Sequence, residues 1–284
     1  MNPTDIRSNN LFLVHNFNTV PEDLLSYCKD YIIFDCSDKP EVREELKEKN
    51  IPFRETPNTG HNLTSYFRYF YEEYENLPEV ICLLKGNMFG RHLTEEYFAK
   101  VCGRSFFTFL FLEPEEWTRF AKFDAEGKKN PETGTFLSAE NVYTEPNNAW
   151  YTEVERHPKK YFDDPDDLMR FIYKDPLIPK YYSFAPGACY IVRADQIRLH
   201  GPVFYKNLNK LMDYGIAPDF PSEAHMVERI LPVLLNSAWE VNSWMEDEAA
   251  FDAKLPECSD YIREKFENRP RRFGKLRKAL GLIK

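Results

Sequence analysis

Cysteine is sparse in this 284-residue chain: Cys28, Cys36, Cys82, Cys102, Cys189 and Cys258 are scattered, and no two form a C-x-x-C pair. Several sit in apolar runs such as VICLL and GACYIV, so they read as buried thiols of a reducing compartment, not as a disulfide framework or a zinc site. No apolar run reaches the roughly 18 residues of a membrane-spanning helix. The opening MNPTDIRSNN lacks the basic-then-apolar layout of a signal peptide. The expectation is a cytoplasmic protein. Gly-x-Ser-x-Gly, Walker and His-Glu-x-x-His motifs are absent and the six histidines never fall at metal-ligand spacing, so hydrolase and kinase readings have no support. There is no internal repeat and no low-complexity tract.

What is present suits a packed core. The chain is 43% hydrophobic and 29% charged, enough for one large domain or two small ones. Its net charge of −9 is unevenly spread: seven basic residues and no acid lie between Arg269 and Lys284, leaving 30 basic against 46 acidic residues, or −16, over residues 1–268. An acidic body argues against nucleic acid as a partner, because phosphate neutralisation dominates that affinity. The tail differs. Phe273, Leu276, Leu280 and Ile283 fall on one helical face among the basic residues, a pattern suited to an anionic membrane surface. The alternative is a terminal helix packed on the acidic body.

Strand and helix signals alternate in the first third. LFLVHNF after Asn10, YIIFDCSD, IPFRETPN and EVICLLKGN read as strands, and the segments after Pro21, Pro40 and Asn62 read as helices. Such alternation implies an open, mostly parallel α/β sheet whose ligands bind beyond the carboxyl ends of the strands. Residues 122–165 are polar and rich in Pro, Gly and Asn, yet carry Tyr143, Trp150 and Tyr151, and read as an ordered insertion or lid. Its aromatics could stack on sugar rings. Beyond it, SFAPGACYIVRADQI reads as one further buried strand running into a helix, with helices at FYKNLNKLMDYG and SEAHMVERILPVLLN. Asp163-Asp164-Pro165-Asp166-Asp167 reads as an acidic helix N-terminus in preference to a metal site.

Four strand ends converge on one edge of such a sheet: His15 to Asn18, Asp35 to Asp38, Asn58 to Asn62, and Lys85 to Asn87. Each offers small polar groups where a nucleotide or sugar would lie. Each is equally explained by caps and turn formers. Their order carries more than their identities. The N-terminal strand, the Asp-rich FDCSD turn, the Asn58-x-Gly60-x-Asn62 turn into a Tyr-rich helix and the YENLPEV lead-in to an apolar strand together resemble GT-A-type nucleotide-sugar glycosyltransferases. The likeness is greatest to uncharacterised relatives with an N-x-G-x-[EN]…Y…LP pattern. It covers residues 10–112 and 180–236, about half the chain.

The resemblance implies a GT-A-like α/β fold, with a single catalytic domain over 1–268 (donor half 10–121, insertion 122–165, acceptor half 166–268) and a basic amphipathic tail at 269–284. It implies a hexosyl- or pentosyltransferase moving a sugar from a nucleoside diphosphate donor to a glycan or lipid-linked acceptor, in a setting such as capsule or lipopolysaccharide assembly at the inner face of a membrane. Donor-binding residues would be Asn16, Asp35, Asp38, Asn58, Gly60, Asn62, Lys85, Gly86 and Asn87, with Asp35 and Asp38 near base and ribose. Many family members place an Asp-x-Asp pair holding Mn²⁺ or Mg²⁺ at the strand end occupied here by Lys85-Gly86-Asn87. No carboxylate stands there, so no metal ligand is assigned, and Lys85, with Arg91 or His92, is the candidate to neutralise the diphosphate. The alternative for Lys85 is a solvated strand-end lysine. Glu223, six residues before Arg229, is the first candidate for the base of an inverting transfer, Glu228 the second, and His225 a residue that could orient Glu223. Gly187 and Arg229 fall on the acceptor side. A noncatalytic nucleotide- or glycan-binding protein on the same fold is the rival class.

Overall fold

The computed structural model describes residues 7–111, 143–146, 159–214 and 221–267. Its centre is a six-stranded, mostly parallel mixed sheet flanked by helices. In chain order come β1 (Ser8–Asn16), α1 (Glu22–Leu25), β2 (Cys28–Asp35), α2 (Pro40–Glu48), β3 (Arg54–Glu55), α3 (His61–Glu72), β4 (Val80–Lys85), α4 (Glu95–Val101) and β5 (Thr108–Phe109). Then follow β6 (Tyr143–Pro146), α5 (Pro165–Ile172), β7 (Tyr181–Phe184), β8 (Tyr190–Arg193), α6 (Ala194–Ile197), α7 (Pro202–Met212), α8 (Ser222–Asn236) and α9 (Glu248–Glu267). The sheet runs β3-β2-β1-β4-β8-β5, and β6 pairs with β7 in a separate ribbon.

The strands are apolar because the sheet is covered on both faces, and side-chain alternation sorts them between two cores. Phe12, Val14, Cys82, Leu84, Cys189 and Ile191 join Val42, Leu46 and Phe98 on the α2/α4 face. Leu13, Ile81, Leu83, Tyr190 and Val192 join Phe67, Phe70, Leu208 and Ile230 on the α3/α7/α8 face. A one-residue slip would exchange the two sets, so the register is tightly specified. It pairs Asn16 with Asp35 and His15 with Lys85, bringing three strand ends to one edge.

One sequence expectation needs correction. The stretch ahead of α6, from Ser183 to Arg193, belongs to two strands and not one. A turn at Ala185 to Ala188, closed by an Ala188 N–H···O=C Ala185 bond of 2.8 Å, sends β7 to the ribbon and β8 into the main sheet antiparallel to β4. Both halves are buried, which periodicity alone cannot divide. The acidic run does cap α5: the Asp164 carboxylate accepts from Asp166 and Asp167 N–H at 3.0 Å each. Five cysteines are buried and free, and Cys258 is half-buried. Among the described residues no helix is long and apolar enough to cross a membrane. The tail at 269–284 and, apart from 143–146 and 159–165, the insertion at 122–165 lie outside the described residues.

Candidate functional site

Strand order reverses between β1 and β4, the place where open α/β sheets bind ligands at their carboxyl edge. A cavity of about 390 Å³ opens beside the end of β4, within the size range of small-ligand sites. Lys85 from β4 and Arg91 and His92 from the following loop form one wall, His61 and Asn62 from the start of α3 a second, and His225, Glu228 and Arg229 from α8 a third. Tyr143 of β6 and Phe184 of β7 close it, in edge-to-face contact at 5.4 Å.

One residue ties these walls together. Gly187 donates its N–H to Glu228 Oε1 at 2.7 Å and accepts from Asn62 Nδ2 at 2.8 Å. Its φ of +85° is the left-handed conformation required at the third position of this turn. A Cβ there would stand 2.7 Å from His92 Nε2. Glycine therefore sets both the turn and the approach of the His92 ring. Glu228 is held again on its other oxygen by Arg229 Nη1 at 2.5 Å, and the Arg229 guanidinium lies 4.5 Å over the Phe184 ring.

The electrostatics are one-sided. Glu228 is the only carboxylate on the described wall, and it faces Arg229. Lys85 and Arg91 have no carboxylate within ion-pairing distance among the described residues, whereas most other basic side chains, Arg43 and Lys159 for example, do. Burial lowers the Lys85 ammonium pKa, with Arg91 acting the same way and Cys189 and Glu228 against it. His92 is held down to about 3 by burial, then by Lys85 and Arg91. His61, whose ring centroid lies 5.5 Å from that of His225, is held well below the usual histidine range, first by burial and then by His225 and Lys85. Its backbone is left-handed at φ +55°, unusual for a non-glycine residue and a form of strain that clusters at functional sites. Neutral imidazoles and fixed cations facing one cavity suit an anion with further hydrogen-bonding groups.

Of the residues singled out from sequence, Asn62, Lys85, Arg91, His92, Gly187, His225, Glu228 and Arg229 meet in this cavity. Glu223 does not. It is fully buried on another side of α8, where its Oε1 accepts from the N–H groups of Lys160 and Tyr161 at 2.8 and 2.7 Å and its Oε2 from the Tyr214 hydroxyl. Burial raises its pKa against those hydrogen bonds. It is an anchor for the chain around Tyr161, and of the two candidate carboxylates Glu228 is the one on the cavity wall. Asp35 is likewise consumed: Asn16 Nδ2, Ser37 Oγ and Arg43 Nε reach it at 2.8, 2.6 and 2.7 Å, and it has no exposed surface with which to meet a ribose. Asp38 lies on the exposed turn and accepts from Asn18 Nδ2 at 2.7 Å. Asn16 and Gly86 pack together, since a Cβ on Gly86 would stand 2.4 Å from Asn16 Oδ1. Gly60 packs against Met212, and neither Asn58 nor Asn87 reaches the cavity wall.

His61 was missed in sequence because its strained backbone follows from packing and has no residue signature. Nearby, Cys36 Sγ lies 3.5 Å from His15 Nδ1, but burial pushes the thiol up to about 12 and the imidazole down to about 3. That pair is neutral and lacks the thiolate that a cysteine nucleophile needs. No family model, curated protein or solved structure matches this chain.

Proposed function

We propose that the protein is a GT-A-like glycosyltransferase that takes a sugar from a nucleoside diphosphate donor to a glycan or lipid-linked hydroxyl. One observation carries this reading: among the described residues Lys85 and Arg91 have no carboxylate within ion-pairing distance, and they share a cavity with a single carboxylate, Glu228, at the switch point of the sheet. Cations there would hold the donor phosphates. The carboxylate would serve the acceptor. In the transfer, the acceptor hydroxyl oxygen bonds to the anomeric carbon as its proton passes to Glu228. The bond from that carbon to the phosphate oxygen breaks, and the electron pair leaves with the nucleoside diphosphate. Lys85 and Arg91 offset the charge that develops on the leaving group. Tyr143 and Phe184 offer apolar ring surface to the C–H face of a sugar.

Donor turnover tests the proposal. With a panel of UDP- and GDP-sugars, nucleoside diphosphate release is expected for at least one donor, and Glu228→Gln is expected to abolish release while leaving donor binding within a few-fold. A noncatalytic nucleotide-binding protein is the second reading, favoured by the engagement of both Glu228 oxygens. Binding without release across the panel would establish it in place of the transferase.

A further inference from the structure

The resemblance to GT-A enzymes implies a divalent cation at the donor phosphates, and the residues of this cavity do not fit one. Mg²⁺ and Mn²⁺ in phosphate sites are held by one or two carboxylates free to ligate, together with water and phosphate oxygens. Here the described wall carries Glu228 alone, its two oxygens already bound by the Gly187 N–H and Arg229. At the end of β4, where the resemblance would put an acidic pair, stand Lys85, Gly86 and Asn87. Lys85, Arg91 and Arg229 would all repel a second cation. Among the described residues no group of three His, Cys, Asp or Glu side chains is placed to hold a metal.

We infer that this cavity binds the diphosphate of its donor without a divalent ion, with Lys85 and Arg91 supplying the positive charge that the ion supplies elsewhere. The inference rests on the donor reading above and adds to it how the phosphates are neutralised. Lys85 is the inner group, half-buried at the strand end, and Arg91 the outer one, exposed at the rim. An ammonium drawn partly out of water, with no carboxylate partner among the described residues, is stabilised when an anion arrives, so part of its desolvation cost is already met before binding. A guanidinium at the rim can grip two phosphate oxygens at once. His61 and His92 add ring N–H groups without adding fixed charge.

Titration calorimetry of UDP and GDP into the full chain decides this, once in excess chelator and once with added Mn²⁺. At least one nucleotide is expected to bind in chelator with a dissociation constant within about threefold of its value in Mn²⁺. Lys85→Met and Arg91→Gln are each expected to weaken it about tenfold to a hundredfold, as for a lost hydrogen bond to a charged group, with urea unfolding midpoints unchanged. Binding that appears only with Mn²⁺, or falls more than tenfold in chelator, overturns the metal-free inference and leaves the donor reading standing. Wild-type affinity in both variants overturns the assignment of the charge to these residues. No binding of either nucleotide under either condition overturns the donor reading itself, and this inference with it.

Discussion

Replacing Gly187 by alanine would strike the cavity at the point where its walls join. The alanine must hold φ near +85°, a left-handed conformation that costs an L-residue about 1–2 kcal/mol. Its Cβ must also stand 2.7, 2.9 and 3.0 Å from three atoms of the His92 ring. That ring is only 5% exposed and lines the cavity, so either the ring is pushed toward the cavity or the turn must shift, at about 1–3 kcal/mol for overpacking of this kind. Together the loss is about 2–5 kcal/mol, a large share of the roughly 5–15 kcal/mol that holds a domain folded. A shifted turn also misaligns the Gly187 N–H from Glu228 and its carbonyl from Asn62. Equilibrium urea unfolding is the assay, with Gly103→Ala as control, because nothing lies within 4 Å of a Cβ placed there. A Gly187→Ala protein within about 0.5 kcal/mol of wild type, as an ordinary surface substitution would be, would refute the role given to this turn.

Glu223→Gln keeps one oxygen for the N–H groups of Lys160 and Tyr161 but replaces the oxygen that accepts from the Tyr214 hydroxyl with an amide NH2, so it should destabilise the fold by about 1–3 kcal/mol while leaving UDP affinity unchanged. A variant of wild-type stability that has lost transfer would return the base to Glu223. His15, His92 and His200 are held neutral by burial at about 3, about 3 and about 4. The unfolded chain takes up those protons first, so each histidine removes about 1.4 kcal/mol of stability per pH unit below about 6.5, until its folded value is passed. Three together predict a loss on the order of 4–6 kcal/mol between about pH 6.5 and 5 in urea titrations. Glu223 acts in the opposite sense, since its raised pKa makes the folded chain hold a proton more firmly as pH rises from the ordinary carboxylate range. A flat profile between pH 7 and 5 would contradict the neutral state of these rings.

The central strands and the helices that cover them are legible in the sequence because β4 and the carboxyl-terminal halves of β1 and β2 are buried and are written as short apolar runs. The convergence of strand ends follows from the parallel pairing of those strands. What escaped has identifiable causes. The direction of β8 is set by its partners β4 and β5, and the SFAPGACYIV run hides a turn between two buried strands. Short α4 and β5 carry too few residues for a periodic signal. The choice between Glu223 and Glu228 depends on rotation about one helix: at 3.6 residues per turn, five positions separate them by about 140°, so one enters the core while the other faces the cavity. Spacing to Arg229 could not decide which face is which. Asp35 looked like a ligand contact because it ends a strand, and Arg43, eight residues on, claims it instead.

A crystal structure of the full chain with bound nucleoside diphosphate tests the placement of chemistry most directly. The diphosphate is expected in the cavity between β4 and α8, with oxygens within hydrogen-bonding distance of Lys85 Nζ and the Arg91 guanidinium and with Glu228 facing the open side. A nucleotide bound elsewhere, or a diphosphate in the cavity that touches neither Lys85 nor Arg91, would contradict it.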